Sequence, residues 1–234
     1  MSDSHATAVE TAANPELRHH FADMHQQTNS ASLGMWLFLV TEIMFFGGLF
    51  CAYLIYRLMY FPAFGAASQT LDIKLGAFNT VVLIVSSVTV VFAVRAAHDG
   101  NRKQLVAYMV LTILLGLTFL GVKAIEYKEK FEKHHVPGPT FSFNKPFDDN
   151  GKEIPVDPHH AQLFFALYFA MTGMHAIHMI IGCGLFTVLT VLSWKGRYTA
   201  QYYTPIENAG LYWHLVDIIW IFLFPLLYLI SRHS

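Results

Sequence analysis

Cysteine and charged residues are both scarce in this chain. Its 234 residues include two cysteines, Cys51 and Cys183, and only 13% of them are charged. Both cysteines lie inside apolar stretches and form no CxxC or CxxCH pattern, so the sequence carries no thiol motif for zinc, disulfide exchange or covalently attached haem. A free thiol in such a stretch behaves as a small apolar side chain.

Hydrophobic residues, by contrast, make up 54% of the chain and are concentrated in five long stretches. A helix needs about 20 apolar residues to cross a bilayer core of about 30 Å. The fourth stretch has 32 residues, which is too short for two crossings and a turn, so we count it once. The fold class we predict is an all-α polytopic membrane bundle with five transmembrane helices: Leu33–Tyr56, Leu75–Val94, Leu105–Ile125, Ala161–Leu192 and Leu211–Ile230. A soluble fold would have to bury five helices that are apolar all round, and the chain is too short for that.

The segments outside these stretches are polar. Residues 1–31 lack the apolar core and cleavage site of a signal peptide, so we expect them to form a polar N-terminal segment. Residues 32–230 are then the five-helix membrane domain, and its first span acts as an uncleaved anchor. Residues 128–160 carry several prolines and mixed charges, which predicts an external loop insertion without helices of its own. Two histidine pairs in this loop are interpreted as solvated side chains, with a surface metal site as the alternative: His134/His135 and His159/His160.

The distribution of Lys and Arg over the short connections indicates the orientation. Six cations lie on the side of the N-terminus: Arg18, Arg95, Arg102, Lys103, Lys195 and Arg197. Three lie on the opposite side: Arg57, Lys74 and Arg232. Because positive charge favours the cytoplasmic side, we expect a cytoplasmic N-terminus and an external C-terminus.

Polar side chains inside the bilayer are costly, so they are the candidate functional residues. They are Glu42, Asn79, Glu126, His175, His178, His214 and Asp217. For Glu42 we favour a protonated carboxyl that is hydrogen-bonded to a neighbouring helix over a proton-handling role.

The histidines allow structural and ligand-binding interpretations. His175 and His178 form an HxxH pair on one side of the fourth helix, for which we favour interhelical hydrogen bonds. A bis-histidine haem site fits poorly, because His214 lies near the start of its helix whereas His175 lies near the middle. For His214 and Asp217 we predict a hydrogen bond with each other.

Five sequence segments together carry a family resemblance. They are SLGMWLFLVTEIMFF at 32–46, AFNTVVL at 77–83, AIEY at 124–127, GMHAIHMIIG at 173–182 and YWHLVDIIW at 212–220. In this order, with one motif in each span, the chain resembles subunit III of the haem-copper oxidases. It resembles the five-span form, which lacks the first two helices of the longer members.

The resemblance implies a function. A subunit III binds no haem or copper, which belong to partner subunits; it packs against oxidase subunits I and II, holds structural phospholipids and helps to sustain proton uptake. Glu42 corresponds to the buried glutamate of the family, His175 and His178 to its HxxH, and Glu126 to its helix-terminal acid. The expected location is a bacterial inner membrane, within an oxidase complex or a larger respiratory supercomplex, and no nucleic-acid partner is expected.

Other functions share some of these features. A quinol oxidase subunit III or a nitric oxide reductase accessory protein would carry the same motifs. A proton or ion transporter would explain Glu42, but it predicts internal repeats and broken helices, whereas Pro225 is the one proline deep in a span. A self-sufficient haem enzyme would need histidines at matching depths.

Overall fold

The computed structural model describes residues 17–18, 20–132, 135–138, 141, 143 and 157–229. Within these ranges the chain is helical and contains no β-sheet, only an isolated bridge between Thr199 and Tyr202. The helices are α1 Met24–Met59, α2 Phe61–Gln69, α3 Ile73–His98, α4 Arg102–Glu132, α5 Pro158–Trp194 and α6 Thr204–Phe224. A π-helical turn, Pro225–Leu229, follows α6 directly. The all-α prediction is confirmed.

Five of these helices are long and apolar enough to cross a membrane: α1, α3, α4, α5 and α6 with its π-helical turn. They contain the five predicted spans in order, except for Ile230, which lies outside the described residues. The 37-residue α5 is a single helix, as its length predicted. The short helix α2 was not predicted. Its nine residues begin one residue after α1 ends, with Pro62 in the first turn, where a missing N–H is tolerated.

Aspartate side chains define where three helices begin. Asp23 accepts a hydrogen bond from the Gln26 N–H at 2.6 Å, Asp72 caps α3, and Asp157 caps α5. Such caps satisfy backbone donors that the first helical turn leaves free. Because Asp23 starts α1, residues 24–31 are helical although we predicted them to be part of the polar segment before the first span.

The loop predicted at 128–160 is shorter than the sequence suggested. α4 continues to Glu132 and α5 begins at Pro158, so both ends of the predicted loop belong to helices. Near the end of α4, Lys128 and Glu132 are exposed and lie at i,i+4 spacing, which supports a helix beyond the apolar stretch. Within the loop, Phe141 and Phe143 pack against Phe165 of α5.

The interior of the bundle is built around α6. In the most apolar 18-residue stretch of α6, 56% of the residues are buried. In the corresponding stretch of α1, which lies at the periphery, 17% are buried. Trp213 of α6 is buried, and a Cβ on Gly116 of α4 would lie 2.8 Å from its indole ring. Only glycine therefore allows α4 to approach α6 this closely.

The alternating direction of the spanning helices creates two faces. The N-terminal face holds the start of α1, the α3–α4 connection and the α5–α6 connection, residues 195–203. The distal face holds the end of α1, helix α2, the end of α4, the start of α5 and the π-helical turn. The candidate residues lie between these two faces.

Candidate functional site

Glu42 and His178 join the peripheral helix α1 to α5. Glu42 Oε2 lies 3.1 Å from His178 Nε2, and the two side chains are 19% and 13% exposed. The helix of Glu42 contains no titratable partner for it, and in the structure the partner comes from the neighbouring helix α5. The ring of His178 also packs edge-on against Phe46 of α1, with ring centroids 5.4 Å apart.

The hydrogen bonds of His178 restrict the protonation of the pair. His178 Nδ1 lies 2.9 Å from the Met174 carbonyl oxygen, and since a carbonyl can only accept, Nδ1 carries a proton. Nε2 therefore shares a single proton with the Glu42 carboxyl: either a neutral acid donates to Nε2 or an imidazolium donates to the carboxylate. In both arrangements the pair is electrically neutral, which is how ionisable groups are accommodated within a bilayer.

His175 does not act together with His178. It is fully buried, with its ring centroid 5.3 Å from those of Phe119 and Trp220. Neither of its ring nitrogens has a hydrogen-bond partner among the residues described. The predicted interhelical hydrogen bonding therefore applies to His178 alone, because His178 faces α1 while the ring of His175 is enclosed by aromatic rings of α4 and α6.

Glu126 is the centre of a buried polar cluster that the sequence revealed only in part. Its carboxyl lies 2.9 Å from the Lys123 ammonium and accepts hydrogen bonds from the hydroxyls of Tyr168, at 2.7 Å, and Tyr228. Lys123 donates to the Tyr228 hydroxyl at 2.7 Å and lies 4.5 Å above the Trp220 ring. The cluster therefore ties α4, α5, α6 and the π-helical turn together near the distal face.

Lys123 and Tyr228 were missed as members of this site. The i,i+3 spacing of Lys123 and Glu126 was a readable signal for an ion pair on one helix face. Tyr228 had no such signal, because the π-helical turn that begins at Pro225 determines where its hydroxyl points. Within the same turn, the Leu226 carbonyl accepts a hydrogen bond from the Tyr53 hydroxyl of α1 at 3.0 Å.

His214 and Asp217 do not form the predicted hydrogen bond with each other. His214 Nδ1 lies 2.7 Å from the Ser87 hydroxyl of α3. Asp217 is buried, and the recorded side-chain contact of its carboxyl is also with the Ser87 hydroxyl. The prediction was wrong because both side chains interact with Ser87 of α3 instead of with each other.

The remaining candidates have different surroundings. Asn79 of α3 is fully buried, and neither end of its amide is hydrogen-bonded to a described residue. His160 stacks on Tyr60 at 3.8 Å, and His135 packs against Phe165; His134 lies outside the described residues. In the part of the chain that the structure describes, no three His, Cys, Asp or Glu side chains are placed to hold a metal ion.

Comparisons with known proteins place these features in a family. The family model described as "Cytochrome c oxidase subunit III" matches residues 15–143 and 160–232. Subunit 3 of cytochrome c oxidase from Thermostichus vulcanus is 30% identical over 212 residues, which is 89% of this chain and 91% of that protein. Its counterpart from Coturnix japonica is 32% identical, over 83% of this chain and 67% of the relative. Subunit 3 of the cytochrome bo(3) ubiquinol oxidase from Pseudomonas aeruginosa is 28% identical over 92% of both chains.

Proposed function

The chain belongs to the cytochrome c oxidase subunit III family, and from this premise we propose that it is the non-redox subunit III of a terminal haem-copper respiratory oxidase. Its family match carries the proposal, because it extends through all five membrane helices and includes Glu42, Glu126, His178 and Asp217. In this role the chain packs against oxidase subunits I and II, which carry the haem and copper. Phospholipids fill the remaining surface of the apolar helices.

The buried contacts support an assembly role. Glu42 and His178 hold α1 against α5, and the Glu126 cluster holds α4, α5 and α6 at the distal face. A rigid bundle of this kind presents a defined surface to a catalytic partner. Because Glu42 and His178 share a proton and are partly exposed, the pair also has the chemistry that support of proton uptake requires.

The location we propose is a bacterial inner membrane. Two relatives that match over about nine-tenths of their own length come from Pseudomonas aeruginosa and Thermostichus vulcanus. The excess of Lys and Arg at the N-terminal face assigns that face to the cytoplasm and the distal face to the exterior. A larger respiratory supercomplex in the same membrane is a further partner that we propose.

A second candidate differs in the electron donor. The match to a ubiquinol oxidase subunit extends over 92% of both chains, which is as far as the match to the Thermostichus vulcanus cytochrome c oxidase subunit, at 89% of this chain and 91% of that protein. We therefore keep a quinol oxidase as the alternative to a cytochrome c oxidase. The scaffold role is the same in both, because the donor binds to other subunits.

Affinity purification from the native membrane tests both candidates. The chain should carry an N-terminal tag, and the membrane should be dissolved in a mild detergent. We expect stoichiometric recovery of two larger oxidase subunits with haem and copper, and oxygen uptake driven by either reduced cytochrome c or ubiquinol. Recovery of the intact chain without any haem protein would contradict the proposed function, and the active donor decides between the two oxidases.

A further inference from the structure

A surface cavity of about 340 Å³ lies near the N-terminal face of the bundle. Helices α1 and α3 both pack on α6, and residues of all three helices line the cavity. Trp36 belongs to α1, Val91 to α3, and Glu207, Leu211 and His214 to α6. The cavity is separate from the two buried contacts that hold the bundle together.

Two polar side chains of α6 line this cavity at a defined spacing. Glu207 and His214 are seven residues apart, so they lie on the same side of the helix and about 10.5 Å apart along its axis. Gly210 lies between them and contributes no side chain to the cavity. A ligand that contacts both polar groups must therefore carry polar atoms at its two opposite ends.

Glu207 brings an unpaired carboxylate to the cavity. It forms no side-chain hydrogen bond or ion pair with any residue that the structure describes. The described residues that line the cavity include no Lys or Arg. The carboxylate can therefore accept a hydrogen bond from a ligand, whereas it repels a phosphate group.

His214 presents its second ring nitrogen to a ligand. Its Nδ1 lies 2.7 Å from the Ser87 hydroxyl, which also contacts the Asp217 carboxyl. Because a hydroxyl both donates and accepts, Ser87 can carry a proton between these two side chains. His214 Nε2 has no hydrogen bond to a described residue, and it accepts or donates according to the position of that proton.

The rest of the cavity is apolar and continues toward the bilayer. Trp36 is 57% exposed, and its indole offers a flat aromatic surface at a depth typical of a membrane interface. About one turn deeper on each of the three helices, Val40, Val88 and Ile218 are exposed. A ligand that fits this site has a flat polar ring at the interface and an apolar tail.

We propose that this cavity binds the ring of a para-quinol with an isoprenoid tail. One ring hydroxyl donates to the Glu207 carboxylate, and the other is hydrogen-bonded to His214 Nε2. Two hydrogen bonds of about 2.8 Å, added to the distance of about 5 Å between the two ring oxygens, span about 11 Å, which matches the spacing of Glu207 and His214. The tail lies along the exposed apolar residues of α1, α3 and α6.

The same contacts select the reduced form of the ligand. A quinone carbonyl can only accept, so it would meet the Glu207 carboxylate without a proton between them. A quinol hydroxyl supplies that proton, and at the other end it suits either state of His214 Nε2. The inference concerns binding alone, goes beyond the oxidase role and rests on the membrane location.

Photo-crosslinking measures binding at this site directly. The purified complex is incubated under argon, so that turnover does not consume the quinol, with a decyl quinol that carries a diazirine in its tail. Mass spectrometry quantifies labelling of the peptides of this chain that contain Trp36 or His214. Unlabelled competitors are the decyl quinol, its quinone, the matching phenol with a single hydroxyl, and phosphatidylethanolamine. The variants are Glu207→Ala and His214→Phe, and the control is Gln201→Ala, exposed at the same face.

We expect the phenol and the quinone to compete at concentrations at least about tenfold higher than the quinol, because each loses one contact. Glu207→Ala and His214→Phe should each remove most of the quinol's advantage over the phenol, whereas Gln201→Ala should keep it. Co-purification of the other subunits shows that a variant is assembled. Equal competition by quinol and phenol, or an unchanged advantage in an assembled Glu207→Ala complex, would overturn the proposal. Displacement by phosphatidylethanolamine as effective as that by the quinol would also overturn it. None of these outcomes alters the haem and co-purification measurements that test the oxidase role.

Discussion

The Glu42–His178 contact shows how one pair can be both structural and protonatable. Since His178 Nδ1 donates to the Met174 carbonyl, its Nε2 faces the Glu42 carboxyl with one shared proton. A side chain at position 42 that can donate a hydrogen bond to His178 Nε2 keeps the contact even when it cannot titrate. The glutamine variant therefore separates the two roles.

We expect Glu42→Gln to preserve assembly and oxygen turnover, because the Gln amide can donate to His178 Nε2. Glu42→Ala should reduce the yield of assembled complex, since it leaves Nε2 unpaired, a loss of about 1–3 kcal/mol. Thr41→Ala is the control, because Thr41 is exposed and bonds only to the Phe38 carbonyl of its own helix. Proton pumping and oxygen uptake are measured on the purified complexes. A Glu42→Gln complex that assembles but no longer translocates protons would establish proton handling instead.

The Lys123–Glu126 ion pair is buried, with side chains 4% and 1% exposed. We expect Lys123→Ala to destabilise the chain by about 3–5 kcal/mol, because it leaves the Glu126 carboxyl without its cation. Lys128→Ala, on the same helix, should change stability by less than about 1 kcal/mol, because its pair with Glu132 is exposed. Denaturation of both variants in the same detergent provides the measurement. Equal losses for the two lysines would show that burial of the pair does not matter.

At the scale of helices, the sequence predicted the number and order of the spans correctly, because long apolar stretches have few alternatives to crossing a bilayer. It predicted helix ends poorly: the polar starts and ends of α1 and α4 extend beyond the apolar residues, and Asp23 determines the start of α1. The candidate residues could be identified from the sequence, because polar side chains are energetically costly inside a bilayer. Their partners could not be identified in this way. Ser87, Tyr168 and Tyr228 contact them only because helices that are distant in sequence pack together.

Close packing of α4 on α6 depends on Gly116. In Gly116→Ala, the new Cβ would lie 2.8 Å from the Trp213 ring and 2.9 Å from Cys183 Sγ, which should destabilise the chain by about 1–3 kcal/mol. Gly121→Ala, on the same helix, meets no atom within 4 Å and should be neutral or stabilising by up to about 1 kcal/mol. Thermal unfolding of both variants in one detergent compares them. A melting temperature for Gly116→Ala at or above that of Gly121→Ala would contradict this packing.

The described part of the chain has five spans, an odd number, so the start of α1 and the end of the π-helical turn lie on opposite sides of the membrane. In a Cys51→Ser background, we expect Ala200→Cys, in the α5–α6 connection, to react with an impermeant maleimide only after the cells are opened. Glu132→Cys, at the end of α4, should react in intact cells, because the cation count assigns the distal face to the exterior. Reaction of both sites in intact cells would require a different number of spans, and the reverse pattern would invert the orientation.

Our central proposal is that this subunit supports oxygen reduction without holding a redox centre. It is tested most directly by stripping the chain from the purified oxidase with a stronger detergent and measuring haem and copper in both fractions. We expect all haem and copper to remain with the other subunits, which should still reduce oxygen but lose activity faster during turnover. Haem or copper recovered at one per chain with this subunit would contradict the account.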